Sequence, residues 1–181
     1  MTLNSGDNMN EDFVITAIGD DRPGLVEELA AVVVAHEANW LESSLAHVSG
    51  KFAGLARISV PMQNVPALQK ALTDFKPLRV IVERAGRASP APDTQRALHL
   101  SLTGHDRVGI VREVSQVIAK HGVNVETLNT YVTAAAMSGE TMFHAEADLL
   151  ADTRMDVSAL KADLEALSNE LIVDIALHEL A

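Results

Sequence analysis

The chain has 181 residues, no cysteine, and 25 acidic against 14 basic side chains, for a net charge of −11 at pH 7. Disulfide frameworks and thiolate metal sites are excluded, and the composition suits a reducing cytosol. An acidic chain whose Lys and Arg occur singly repels nucleic acid, and no apolar run approaches the ~20 residues of a membrane span. A cytoplasmic protein without membrane or direct nucleic-acid contact is expected.

Residues 1–12 are polar and acidic, with no signal-peptide core, and read as a disordered or extended N-terminus. Phe13 to Ile18 is a short apolar strand bounded by Gly19. A helix follows in which Leu25, Leu29, Val32, Val33 and His36 share one face. Asp21 stands where an N-cap belongs and Pro23 where a first helical residue belongs. Asn39 to Val48 and Phe52 to Pro61 form a hairpin around Ser49-Gly50. A second helix carries Val65, Leu68, Leu72 and Phe75, and a strand over 78–83 closes the unit.

The pattern then starts again. Gly19-Asp20-Asp21-Arg22-Pro23-Gly24-Leu25-Val26 returns as Gly104-His105-Asp106-Arg107-Val108-Gly109-Ile110-Val111, and Glu28, Val32, His36 and Asn39 return as Glu113, Val117, His121 and Asn124. Leu98, Leu100 and Leu102 alternate with polar residues in a half-buried strand. Ile110, Val114, Val117, Ile118 and His121 repeat the helix face, with Asp106 as its cap. The hairpin runs over 124–133 and 140–149 around Ser138-Gly139. A helix bears Val157, Leu160, Leu164 and Leu167, and a last strand runs from Leu171 to Leu177.

Each copy reads β-α-β-β-α-β, the ferredoxin-like order of an antiparallel sheet with helices on one face. The fold class is α+β, with module one over 13–84, a Gly/Pro linker over 85–96 and module two over 97–178. Units this small bury a modest fraction of their surface, so the copies gain by packing on each other or by forming a homodimer.

The repeated segment is a strand, a glycine turn and a helix start. Free N–H groups at a helix N-terminus attract a carboxylate. Gly24 and Gly109 let backbone approach a ligand, while Asp21 and Asp106 offer an ammonium group its counter-charge. Asn39 and Asn124 add donors and acceptors. The same residues also serve as caps and turn formers with no ligand at all. Arg22 and Arg107 are read either as anion-binding or as solvated. His36 and His121 read as packing or helix-end residues, and His105 is the one histidine expected near a ligand. Trp40 reads as core or interface.

There is no His-Glu-x-x-His, no Gly-x-Ser-x-Gly and no phosphate-binding glycine signature. No metal, cofactor or catalytic residue is expected. With 12 residues before the first strand and four after the last, neither is a catalytic domain. An RNA-recognition module has the same element order but stacks bases on aromatics, and this chain has only six.

The segments Asp21-Arg22-Pro23-Gly24-Leu25-Val26 with Asn39, and Asp106-Arg107-Val108-Gly109-Ile110-Val111 with Asn124, resemble the ACT domain family of amino-acid-binding regulatory modules. A tandem pair with this opening is similar to the glycine cleavage system transcriptional repressor family. That resemblance implies a cytosolic sensor of a small amino acid, glycine or similar, acting through a protein partner such as a DNA-binding activator. It implies a ligand at an interface between two modules, touching Asp21, Gly24, Leu25 and Asn39 and then Asp106, Gly109, Ile110 and Asn124. The copies differ there: Pro23 becomes Val108, Asp20 becomes His105 and Trp40 becomes Val125. The alternative is a scaffold that mediates oligomerisation and binds nothing small.

Overall fold

Alternation of apolar and polar side chains sets both sheets. Phe13, Ile15 and Ala17 point into the first core, and Leu98, Leu100 and Leu102 into the second. Burying one such Leu or Ile side chain contributes about 1.5–3 kcal/mol. A computed structural model describes residues 9–86, 94–135 and 139–180, and the chain divides into two compact units, Met1–Ala88 and Ser89–Ala181.

The first unit comprises β1 (Asn10–Asp20), α1 (Leu25–Ala35), β2 (Asn39–Val48), β3 (Lys51–Pro61), α2 (Val65–Thr73) and β4 (Arg79–Arg84). The second comprises β5 (Gln95–His105), α3 (Ile110–Lys120), β6 (Asn124–Ala134), β7 (Thr141–Asp152), α4 (Val157–Leu171) and β8 (Val173–Glu179). The sheet orders are β2-β3-β1-β4 and β6-β7-β5-β8, antiparallel throughout. Both are the ferredoxin-like arrangement read from the sequence. Each edge strand that follows the first helix carries an irregularity at the same place, between Trp40 and Glu42 and between Val125 and Thr127.

The helix faces follow the periodicity. Leu25, Leu29 and Val33 are buried from α1, and Ile110, Val114 and Ile118 from α3. Leu68 and Leu72 of α2 and Leu160 and Leu164 of α4 complete the two cores. The helix ends bear out the reading of the two histidines. His36 and His121 are C-cap residues; the His36 ring Nδ1 lies 2.8 Å from the Val32 carbonyl, and His121 Nε2 lies 2.8 Å from an Asp163 carboxylate oxygen.

The helix starts differ from expectation. Gly24 and Gly109 are the N-cap residues of α1 and α3, and neither helix has a side-chain cap. Asp21 and Asp106 lie three residues upstream of them, and Pro23 precedes the cap instead of opening the helix. The turn needs a left-handed residue immediately before the helix, and glycine takes that position without a Cβ penalty. An aspartate cap does exist elsewhere: Asp156 accepts from the Ser158 and Ala159 N–H groups at 2.9 and 3.1 Å to open α4.

Strand bounds also shift. β1 begins at Asn10, inside the segment read as extended or disordered, and β5 begins at Gln95, inside the segment read as linker. Leu171 ends α4 instead of opening the last strand, with Ile172 in the left-handed conformation at φ 55° between them. Residues 1–8, most of the linker at 87–93, and Ala136, Met137 and Ser138 of the second hairpin turn lie outside the described residues.

Candidate functional site

The chain leaves β1 at Asp20 and must reverse into α1 within four residues. The turn is hooked to the neighbouring hairpin: the Asp21 N–H donates to the Gly50 carbonyl at 2.9 Å, and the Asp106 N–H to the Thr141 carbonyl at 2.9 Å. Gly24 and Gly109 then take φ of +92° and +97°. Their carbonyls accept the first helical bonds, from the Glu28 and Glu113 N–H groups at 2.9 and 3.0 Å. The amides ahead of those bonds have no intrahelical acceptor. They mark the positive end of the helix dipole.

The arginines of the turn are committed. Arg22 Nη1 and Nη2 donate to the two Glu28 carboxylate oxygens at 2.6 and 2.8 Å, and Arg107 donates to Glu113 through Nη2 alone. The bidentate bond to Arg22 holds the Glu28 carboxyl below its usual range. This repeated ion pair joins residues six apart, beyond the helical i, i+4 spacing, because the turn folds the arginine back over the first helical turn. Each guanidinium charge already faces a carboxylate, while the buried Arg107 Nε has no partner.

The aspartates are not committed. Among the described residues neither the Asp21 nor the Asp106 carboxylate has a hydrogen-bond or ion-pair partner. The flanking position separates the copies. Asp20 pairs with Lys51 across the strands, which keeps its carboxyl low, whereas His105 stands 3.6 Å from Glu140.

Leu25 and Ile110 are 2% and 3% exposed, so only their backbone is on offer at the turn. Asn39 and Asn124 are not brought to the turn of their own unit. Asn39 pairs in register with Ser59, which pairs with Asp12, whereas the turn follows Asp20. The eight residues between Asp12 and Asp20 span about 26 Å at ~3.3 Å per residue. In the second unit Asn124 is level with Ala97 and the turn follows His105. Each first helix carries the chain back to the far end of its sheet before the asparagine appears.

A polar cluster on the helix-free face of the second sheet was not read from the sequence. His99 Nδ1 and Nε2 each lie 2.8 Å from a carboxylate, Asp148 and Glu146 respectively. Thr127 donates to Asp148 at 2.8 Å. Beside them, the His144 ring nitrogens meet the Thr103 and Thr133 hydroxyls and the ring stacks on Tyr131 with centroids 4.7 Å apart. The signal was present as polar alternation in the strands 99–103 and 144–148, but pairing across more than 40 residues of sequence requires the register. Among the described residues no group of His, Asp and Glu has metal-binding geometry, and no helix is long and apolar enough to cross a membrane.

Both His99 nitrogens face acceptors, so the imidazolium is the favoured form, and Asp148 first and then Glu146 raise its pKa. A raised folded-state pKa gives stability that is full below the ordinary value near 6.5 and is lost as pH rises through the raised one. Melting of the wild type should therefore decline from pH 6 to pH 8.5 more than that of His99→Gln. Ring resonances of His99 should titrate above those of an exposed histidine; equal slopes and an ordinary titration would show that the carboxylates do not hold the proton.

Comparison with known proteins agrees with the fold. The ACT domain model matches twice, over residues 11–82 and 99–168. Among solved structures, an unknown protein from Galdieria sulphuraria is 27% identical, with a TM-score of 0.82 over 96% of this chain and 100% of that one. A candidate glycine cleavage system transcriptional repressor is 21% identical, with a TM-score of 0.70 over 95% of this chain and 98% of that one. A sequence search of curated proteins finds no match. The two model matches together span most of the chain, each containing a strand, glycine turn and helix start of the geometry above; the chain belongs to the ACT domain family.

Proposed function

We propose that this protein is an amino-acid-sensing regulator, akin to the glycine cleavage system transcriptional repressors, that binds a small amino acid of the glycine class and passes the signal to a protein partner such as a DNA-binding activator. The observation that carries this reading is the repeated turn: an uncapped helix start behind a left-handed glycine, with an unpaired aspartate three residues before it. The amides suit a carboxylate and the aspartate an ammonium group, so the pair complements a zwitterion. With Arg22 and Arg107 neutralised by Glu28 and Glu113, the turn carries no fixed cation that would favour a phosphate over a carboxylate.

The site residues in this reading are Asp21, Gly24, Leu25 and Asn39, and Asp106, Gly109, Ile110 and Asn124. Leu25 and Ile110 act through their amides. Because each asparagine lies at the far end of its own sheet, Asn39 or Asn124 completes a site only from a second ACT module, in keeping with ligands held at module interfaces. Signalling then requires that the ligand favour one packing of modules over another. The role is regulatory, in the cytoplasm, with no catalytic step.

The experiment is thermal unfolding of the full chain against each of the twenty amino acids, with calorimetry on any hit. Ligand at 100 times its Kd stabilises by about 2.7 kcal/mol, a rise of roughly 5–10 °C for a chain of this size. Asp21→Ala, Asp106→Ala and the double variant should keep the ligand-free melting temperature, since neither aspartate caps a helix, and the double variant should lose the ligand-induced rise. No response to any amino acid would overturn the sensor reading in favour of an oligomerisation scaffold.

A further inference from the structure

The face of the first sheet that turns away from its helices carries an apolar centre. Phe13, Ile15 and Ala17 of β1 enter the core, so Val14, Thr16 and Ile18 lie on this outer face. Thr16 stands in register with Leu55 on one side and Ile81 on the other. Ile18, Leu55 and Ile81 are 49%, 51% and 48% exposed in the whole chain. Single apolar side chains scattered over a surface are ordinary, but adjoining ones mark a contact. On β4, Arg79 and Glu83 flank Ile81 on the same face, while Val80 and Val82 between them pack on the core. Both charged side chains are exposed, and neither has a hydrogen-bond or ion-pair partner among the described residues. The other arginine of this face, Arg57, is held by Asp12 and Glu42.

We propose that a second copy of this chain covers that face, in a homodimer whose two-fold axis crosses the strands at the level of Leu55, Thr16 and Ile81. A two-fold contact must be self-complementary, and this face is. Rotation about that axis lays each strand antiparallel over its own counterpart. Leu55, Thr16 and Ile81 then meet themselves. Ile18 of one copy lies over Val14 of the other, because Ile18 is level with Arg79 and Val14 with Glu83. For the same reason each unpaired Arg79 faces a Glu83. Aligned sheets stack about 10 Å apart with strands within about 30° of each other, a gap that these two side chains bridge. Four strands ~4.8 Å apart, rising ~3.3 Å per residue, give the face roughly 600 Å². The pair therefore buries at most about 1,200 Å², the lower end of specific interfaces, and the dimer is a weak, concentration-dependent one. The second unit departs from the pattern at the same register positions. Glu146 and Ala176 stand where the first unit has Leu55 and Ile81, and Asp174 and His178 where it has Arg79 and Glu83. The same rotation there would set Glu146 against itself at the centre. Its carboxylate is closed onto His99 instead, so only the first sheet needs a cover.

The test is sedimentation velocity of the full chain over a concentration series through the micromolar range. The wild type should pass from the 19.4 kDa monomer to a species of twice that mass. Arg79→Glu and Glu83→Arg should each weaken the dimer about ten-fold or more, since the two-fold axis makes every like-charge contact occur twice. The exchange variant carrying both substitutions restores opposite charges and should dimerise like the wild type. Ile81→Asp, on the axis, should stay monomeric. These positions are exposed, so circular dichroism melts of the variants should stay close to that of the wild type, which separates lost association from lost folding. Asp174→Arg in the second unit should leave association as it is. A wild type that is monomeric throughout the series would overturn the inference. A dimer indifferent to Ile81→Asp and to both single charge variants would do so too, by placing the contact elsewhere. An exchange variant as weak as its two parents would overturn the pairing of Arg79 with Glu83 and the two-fold arrangement with it.

Discussion

Replacing Gly104 by alanine should lower the melting temperature of the second unit by roughly 5–20 °C. A Cβ at this position would run into the Val173 Cγ1 methyl, 2.8 Å from Val173 Cβ and 3.2 Å from its Cα. The obstacle is the first residue of β8, which is backbone as much as side chain and is paired to Gly104 itself. Overpacking a tight core costs about 1–3 kcal/mol, and each kcal/mol moves a domain of this size by roughly 4–8 °C. Gly19→Ala should do the same to the first unit, where the new methyl would lie 2.8 Å from Leu78 Cδ2 and 2.9 Å from the Pro77 carbonyl oxygen. Gly86→Ala, with nothing within 4 Å, is the control and should change nothing. Circular dichroism melts of the three variants decide the matter, and an unshifted G104A would mean that β8 does not start against the end of β5.

Gly109→Val should weaken amino-acid binding at the second unit by about a hundred-fold. Two charge-assisted bonds to a carboxylate contribute on the order of 1.5–3 kcal/mol each, and a tenfold change in affinity is about 1.4 kcal/mol. Valine at φ +97° sets a branched side chain beside the Glu113 carboxylate at the helix start, where the proposed ligand carboxylate would dock, and strains the backbone, since the left-handed region costs an L-residue about 1–2 kcal/mol. Stability should therefore fall as well, so affinity must be measured by calorimetry well below the melting temperature of the variant. Gly24→Val should have the matching effect on the first unit while sparing the second. A Gly109→Val protein that is folded and binds as tightly as the wild type would place the ligand away from this turn.

Much of the architecture was legible because the sequence says it twice. Leu25, Leu29 and Val33 against Ile110, Val114 and Ile118 identified a core face in duplicate, and the paired glycines marked both turns. Local chemistry at the turn was less legible. Asp21 looks like a cap because aspartate ordinarily is one. The left-handed glycine between it and the helix moves the cap downstream, and no composition rule reports that. The Arg22–Glu28 and Arg107–Glu113 pairs were hidden by a spacing that only a turn can close. Asn39 seemed near the turn because it follows the helix in sequence. An 11-residue helix is about 16 Å long, which is what carries the asparagine to the opposite end of the sheet. The contrast of Trp40 with Val125 was visible in the letters, but their shared register position, against Ile58 and Leu149, was not.

Trp40 has a consequence for how this molecule can be watched. It is the single tryptophan of the chain, seated against the core of the first unit. Intrinsic indole fluorescence therefore reports the first unit alone, while far-ultraviolet circular dichroism sums over both. The protein is its own half-labelled sample: coincident fluorescence and dichroism transitions would mean that the two halves unfold as one cooperative body, and separated transitions that they unfold in turn.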